Sequence, residues 1–177
     1  MFPTALFLDR DGTLIEDRHY LSEPSGVALL EGVKETLHAF VTRGCRLFLF
    51  TNQSGVGRGL FSLQDVERCN QRMIELLDLP KPGFVEICVA TEGPDAPPVY
   101  RKPSPRFILE MASKYELFPG DTWMVGDRLN DVKAGLNAGV QTALISDGIP
   151  EGLPPGVWRC RDLREFFAQF VPALLIE

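Results

Sequence analysis

Short apolar runs and longer amphipathic stretches alternate along the chain. Ala5–Leu8, Arg46–Phe50, Phe84–Val89, Thr122–Val125 and Thr142–Ile145 are nearly unbroken in apolar character, too short for helices, and mostly bounded by Gly, Pro, Asp or Asn. Such runs read as buried strands. Between them lie helical patterns. Gly32–Arg43 places Val33, Leu37, Phe40 and Val41 on one face and stops at Gly44. Ser62 caps a helix running to about Leu79, where Pro80 and Pro82 end it. Ser104-Pro105 supplies a cap and first-turn proline for a helix to about Leu117. Asn130–Ala138 is a short helix ended by Gly139, and Arg161–Leu175 reads as a last helix disturbed by Pro172. This alternation predicts a doubly wound α/β fold with a mostly parallel sheet. With no repeat or linker in view, residues 1–177 read as one domain. In such sheets a ligand sits beyond the carboxyl ends of the strands.

Composition narrows the function classes. With 177 residues, 45% of them hydrophobic, the chain has the apolar content to offset ordering entropy, so it is not a disordered tail. No apolar run approaches the roughly 20 residues of a membrane helix. The start, Met-Phe-Pro-Thr-Ala-Leu-Phe-Leu-Asp-Arg, lacks a basic region and a small-residue cleavage site, so no secretory signal is expected. A net charge of −6 argues against a nucleic-acid partner. Cys45, Cys69, Cys88 and Cys160 form no CxxC and sit among apolar neighbours, which suits reduced thiols in a cytoplasm.

Chemistry gathers where the strands end. The first runs into Asp9-Arg10-Asp11-Gly12-Thr13, and residues two apart on an extended segment face the same way. Two carboxylates so close repel unless a cation separates them or one is protonated; a solvated turn is the other reading. The second ends in Thr51-Asn52-Gln53-Ser54-Gly55 and continues Val56-Gly57-Arg58-Gly59, a supply of hydroxyl, amide and backbone donors for phosphoryl oxygens or simply a polar loop. Arg101-Lys102-Pro103 sets two cations before a helix start, which is unfavourable unless an anion sits there. The fourth strand ends in Val125-Gly126-Asp127-Arg128-Leu129-Asn130-Asp131. Asp127 falls at the edge that Asp9 occupies if the strands are neighbours, whereas Asn130 suits a helix cap and Asp131 a first helical turn.

Together and in this order, these four elements resemble the motifs of the haloacid-dehalogenase-like (HAD) phosphatases, over about Leu6 to Ala138. The resemblance implies a phosphoric monoester hydrolase in which Asp9 is the nucleophile and forms an aspartyl-phosphate. It makes Asp11 the acid and then the base, a role that favours phosphate-ester hydrolysis over dehalogenation. Thr51 and Lys102 would hold phosphoryl oxygens, with Asp131 orienting Lys102. Mg²⁺ would be held by the Asp9 carboxylate, the Asp11 backbone carbonyl and Asp127. Only 39 residues separate Asp11 from Thr51 and 50 separate Thr51 from Lys102, so neither interval holds a cap domain. Substrate must be screened by the loops 16–27, 53–61 and 91–101.

Asp17 and Tyr20, then Thr51 to Gly59, then Arg101-Lys102-Pro103, resemble more narrowly the heptose 1,7-bisphosphate 7-phosphatases of lipopolysaccharide precursor synthesis and their histidinol-phosphate phosphatase relatives. That resemblance implies a small phosphosugar substrate, a monomer in the cytoplasm, and substrate contacts from Asp17, Tyr20, Asn52, Gln53, Ser54, Arg58, Arg101 and Arg128. Arg58, Arg101 and Arg128 are the candidates for a second phosphate. One feature departs from the family. Its zinc loop reads Cys-x-His and later Cys-x-Cys before Arg-Lys-Pro; here the positions are Cys88, Ala90, Pro98 and Tyr100, so no zinc is expected. Three rivals remain. Histidinol phosphate would call on Asp17, Glu92 and Asp95 for its cationic groups. A polynucleotide 3′-phosphatase would need a basic groove. A non-catalytic phosphosugar-binding protein would be expected to lack one of Asp9, Asp11 and Asp127.

Overall fold

The computed structural model describes residues 1–171. Six strands, β1 (Ala5–Leu8), β2 (Arg46–Asn52), β3 (Phe84–Ala90), β4 (Thr122–Gly126), β5 (Gln141–Ile145) and β6 (Trp158–Cys160), form one sheet in the order β3-β2-β1-β4-β5-β6. Every pairing is parallel. The apolar runs lack alternation because both faces of the sheet are covered. Leu6 and Leu8 of β1 face a core built with α1 (Val33–Thr42), α3 (Leu63–Leu77) and α6 (Leu163–Ala168). Ala5 and Phe7 face the opposite core, built with α4 (Arg106–Tyr115) and α5 (Leu129–Ala138). A short helix, α2 (Ser54–Gly57), follows β2, and a 3₁₀ turn at Pro24–Gly26 lies in the loop before α1.

The strand order places the site. The chain winds outward from β1 to β3, then returns to the other side of β1 for β4. The crevice where the order reverses opens between β1 and β4, and Asp9 N–H extends that pairing by donating to Val125 C=O at 3.0 Å. Asp9 and Asp127 therefore leave adjacent strands at one edge.

Several boundaries differ from the sequence reading. α3 ends at Leu77, two residues early, because Asp78 takes a left-handed conformation (φ 48°) before the prolines act. α4 begins at Arg106 with Pro105 at its cap, one residue later than expected. α5 begins at Leu129, so Arg128 and not Asn130 occupies the cap; the Asp131 carboxylate accepts the Arg128 N–H at 2.9 Å. The last helix starts at Leu163, because Asp162 caps it by accepting the Glu165 N–H at 2.8 Å. It ends at Ala168, short of the expected span to Leu175, of which residues 172–175 lie outside the described residues. β6 and α2 were not anticipated: each is three or four residues long, too short for periodicity to register.

Candidate active site

Lys102 lies at the centre, 2% exposed. Its ammonium donates to Asp9 Oδ1 at 2.7 Å and to the Phe50 carbonyl at 2.7 Å, and pairs with Asp131 Oδ1 at 2.5 Å. Three donors thus meet three acceptors, which makes burial of the charge tolerable. Its main chain is fixed separately. Asn52 Oδ1 accepts the Lys102 N–H at 2.9 Å while Asn52 Nδ2 donates to the Lys102 carbonyl at 3.1 Å. The strand end and the basic loop, 50 residues apart, are joined by that pair.

Acidic charge exceeds basic charge here. Ligand atoms of Asp9, Asp127 and Asp131 lie within 4.8 Å of one another, the one such grouping of metal-binding side chains among the described residues. Burial, with Lys102 working against it, raises the Asp9 pKa. Burial followed by repulsion from Asp9 and Asp131 pushes Asp127 up to about 7. Asp127 Oδ1 is buried without a hydrogen-bond partner. Asp131 is already engaged by Lys102 and the Arg128 N–H, which leaves Asp9 and Asp127 to share a cation. An orphaned carboxylate oxygen beside a second carboxylate fits a hard, oxygen-seeking dication. Gly12 allows the approach: at φ 80°, a Cβ there would strike the Asp127 carboxylate.

Asp11 is held apart from this cluster. β1 stops at Leu8, so Asp11 sits in the following turn and the two-residue alternation does not govern its direction. Arg10, fully buried, grips it with Nε to Oδ2 at 3.0 Å and Nη2 to Oδ1 at 3.1 Å. Arg10 Nη1 donates to Asn70 Oδ1 of α3 at 2.9 Å. Gln53 Nε2 donates to Asp11 Oδ2 at 2.9 Å and to Thr51 Oγ1 at 2.8 Å. Arg10 and Asn70 were not singled out from sequence. The available signal was Asn70 itself, a polar residue in the stripe Val66, Cys69, Met73, Leu77 that α3 buries.

A cavity of about 450 Å³ opens beside these groups, with Asp9, Asp11, Arg101 and Lys102 among its lining residues. Asp17, Tyr20, Asn52, Gln53, Ser54 and Arg128 also line it; Arg58 does not. Arg58 lies over the Tyr20 ring, 5.6 Å from its centroid, and donates to Tyr20 Oη at 2.5 Å. Arg128 is committed to Asp17, 2.6 Å away, and approaches Asp127 at 3.8 Å. Arg101 has no carboxylate partner among the described residues, and its Nε is buried without a hydrogen bond. Of the three arginines, it is the one with unused charge on the cavity wall.

The four positions of the family's zinc loop supply one thiol, a methyl, a proline ring and a phenol. Burial, then the nearby Glu92 charge, pushes the Cys88 thiol up to about 12, away from the thiolate a metal takes. Tyr100 Oη is bound to Glu110 at 2.9 Å. These residues do not fit zinc.

Known proteins resemble this chain in sequence and fold. Residues 99–153 match the HAD-hydrolase-like family model. The chain is 36% identical to D-glycero-β-D-manno-heptose-1,7-bisphosphate 7-phosphatase of Helicobacter pylori, over 91% of this chain and 93% of that protein. It belongs to the heptose-bisphosphate 7-phosphatase family of HAD phosphatases. The family places it among phosphoric monoester hydrolases. The Campylobacter jejuni member, named for the α anomer, is 32% identical over 80% of this chain and 81% of its own. The fold superposes on the D,D-heptose 1,7-bisphosphate phosphatase of B. bronchiseptica, solved with magnesium and phosphate, with a TM-score of 0.82 and 29% identity. That match covers 94% of this chain and 97% of the other.

Proposed function

We propose that the protein removes the 7-phosphate of D-glycero-D-manno-heptose 1,7-bisphosphate. The observation that carries this reading is Arg101. Its unpaired guanidinium stands on the wall of the cavity that holds Asp9 and Lys102, where a second phosphate would meet it. A guanidinium grips a phosphate by two parallel hydrogen bonds.

The protein's own groups supply the steps. An Asp9 oxygen attacks phosphorus in line with the departing sugar oxygen, forming an acyl phosphate on Asp9. Lys102, 2.7 Å from Asp9 Oδ1, neutralises charge on the transferred group. The Thr51 hydroxyl, oriented by Gln53, donates to another phosphoryl oxygen. Asp11, fixed by Arg10 and Gln53, protonates the leaving oxygen and then takes a proton from the water that hydrolyses the acyl phosphate. Asp9, the Asp11 backbone carbonyl and Asp127 would hold Mg²⁺, which supplies Lewis-acid stabilisation of phosphoryl charge when bound.

Histidinol phosphate is disfavoured by the state of the acidic groups it needs. Asp17 faces the cavity but is neutralised by Arg128. Glu92 accepts backbone N–H groups, and neither it nor Asp95 lines the cavity. The test follows phosphate release with Mg²⁺ by ³¹P NMR. The bisphosphate should be cleaved at position 7 with kcat/KM at least about tenfold above histidinol phosphate, ~1.4 kcal/mol in transition-state binding. Equal turnover of histidinol phosphate would defeat the substrate assignment and leave only the phosphatase class.

A further inference from the structure

The loop 91–101 carries Arg101 and leads into Lys102, yet it lacks the ligands with which its relatives' resemblance would tie it. One side chain closes it instead. Glu92 Oε1 accepts three successive backbone N–H groups: Val99 at 3.0 Å, Tyr100 at 2.6 Å and Arg101 at 3.2 Å. Successive amides converging on one anion form a concave nest, and here the anion comes from the chain itself. Burial opposes the charge, but these N–H groups outweigh it and hold the Glu92 carboxyl below its usual range.

The clamp spans the segment that the absent metal site would span, from the end of β3 to the residues just before Lys102. We propose that Glu92 is a positioning residue, a metal-free clamp that fixes the 91–101 loop and thereby aims Arg101 into the cavity.

Neighbouring contacts set the frame around it. Gly57 N–H donates to the Thr91 carbonyl at 3.0 Å, and a Cβ at Gly57 would collide with that carbonyl and the Gly93 nitrogen, so the loop's first residues sit directly on α2. Ser104 Oγ donates to the Val99 carbonyl at 2.8 Å. Tyr100 is held by Glu110 and by Arg106 over its ring, 4.8 Å from the centroid. None of these takes the N–H groups of residues 99–101.

Arg101 and Lys102 depend on the clamp differently. Lys102 has its own attachments through Asn52, Phe50, Asp9 and Asp131. Arg101 has its N–H on Glu92. Loss of the clamp therefore loosens the distal phosphate's partner more than the reaction centre.

Amide exchange and kinetics on the full chain test this. In Glu92→Ala, exchange at Val99, Tyr100 and Arg101 should accelerate at least tenfold while β2 amides keep their protection. KM for heptose 1,7-bisphosphate should rise at least fivefold with kcat within twofold. Turnover of p-nitrophenyl phosphate, which has no second phosphate, should stay within twofold. Glu92→Gln, which keeps an acceptor oxygen but loses the charge, should accelerate exchange at the same three amides by a smaller factor, at least about threefold, and that smaller acceleration is the test should Glu92→Ala not fold. Wild-type protein exposed to 1,10-phenanthroline and returned to Mg²⁺ should keep its exchange pattern. Unchanged exchange at 99–101 in the variants, or loss of wild-type protection on chelation with close to one zinc per chain, would overturn the proposal. The exchange readout needs no substrate, so its failure is distinct from failure of the heptose assignment.

Discussion

Two carboxylates of one motif, Asp9 and Asp11, differ in what surrounds them. Asp9 lies among Lys102, Asp127 and Asp131, whereas Asp11, two residues on, is gripped by Arg10 and Gln53. Asp9→Asn keeps volume but removes the proposed nucleophile, so turnover should fall at least about 10³-fold with an unchanged circular dichroism spectrum; retained phosphate release would defeat the covalent mechanism. Arg10→Leu leaves Asn70 Oδ1 buried without its donor and Asp11 without its grip. It should cost about 3 kcal/mol of stability by urea unfolding and lower kcat at least tenfold, with a smaller effect on KM. Glu92 offers a pH test. Its folded pKa lies below the ordinary 4.5, so its contribution is complete above that value and lost as pH falls through the folded pKa. The stability gap between wild type and Glu92→Gln, about 1 kcal/mol at pH 7 for hydrogen bonds to a half-exposed charge, should close in that acid window. A gap that does not narrow as pH falls below 4.5 and on through the acid limb would mean that the carboxylate charge is not what holds the amides.

Among the elements, the helices differ in what fixes them. α3 carries a complete capping box: Ser62 Oγ accepts the Asp65 N–H at 3.1 Å, and Asp65 Oδ2 accepts the Ser62 N–H at 2.8 Å. Ser62→Ala should cost about 1 kcal/mol, lowering Tm by about 2–4 °C in a chain of this size. Because α3 carries Asn70, the same change should reach Asp11 if the helix frays past its first turns; a Tm shift without any change in kcat would confine fraying to the cap. α2 is fixed otherwise. Four residues cannot hold a helix by themselves, and it stands because Gln53 N–H bonds the Ala90 carbonyl at 2.7 Å and Gly57 bonds Thr91. Gly57→Ala should displace the 91–93 segment and raise KM for the bisphosphate, with β-sheet amide exchange unchanged.

On the scale of the whole molecule, the reversal of strand order at β1 is what assembles the site. It sets Asp9 beside Asp127, and the β2 end beside the loop that carries Lys102. Both faces of the sheet are covered by helices, so the polar work is confined to the carboxyl edge, where the cavity opens between loops. EDTA should silence phosphate release and added Mg²⁺ should restore it, since Asp127 Oδ1 is left unpartnered beside Asp9 and Lys102 offsets only one of the two carboxylates. Activity that survives exhaustive chelation would refute the Mg²⁺ reading.

Periodicity and punctuation in the sequence were enough for five strands, the main helices and the doubly wound class, because each run's length and apolar character follows from burial on two faces. Spacing alone also placed Asp9, Thr51 and Asp127 at strand ends and Lys102 just ahead of a helix. What it could not carry was pairing across distance. That Arg10 reaches Asn70, that Asn52 spends both ends of its amide on Lys102, and that Arg58 rests on Tyr20 while Arg101 stays unpaired depend on which surfaces the fold brings together. The starts of α5 and α6 were decided by carboxylates at Asp131 and Asp162 choosing particular N–H groups. The convergence of three loop amides on Glu92 is of the same kind. The sequence marks which ligands are missing, but only the folded loop turns three amides toward one oxygen.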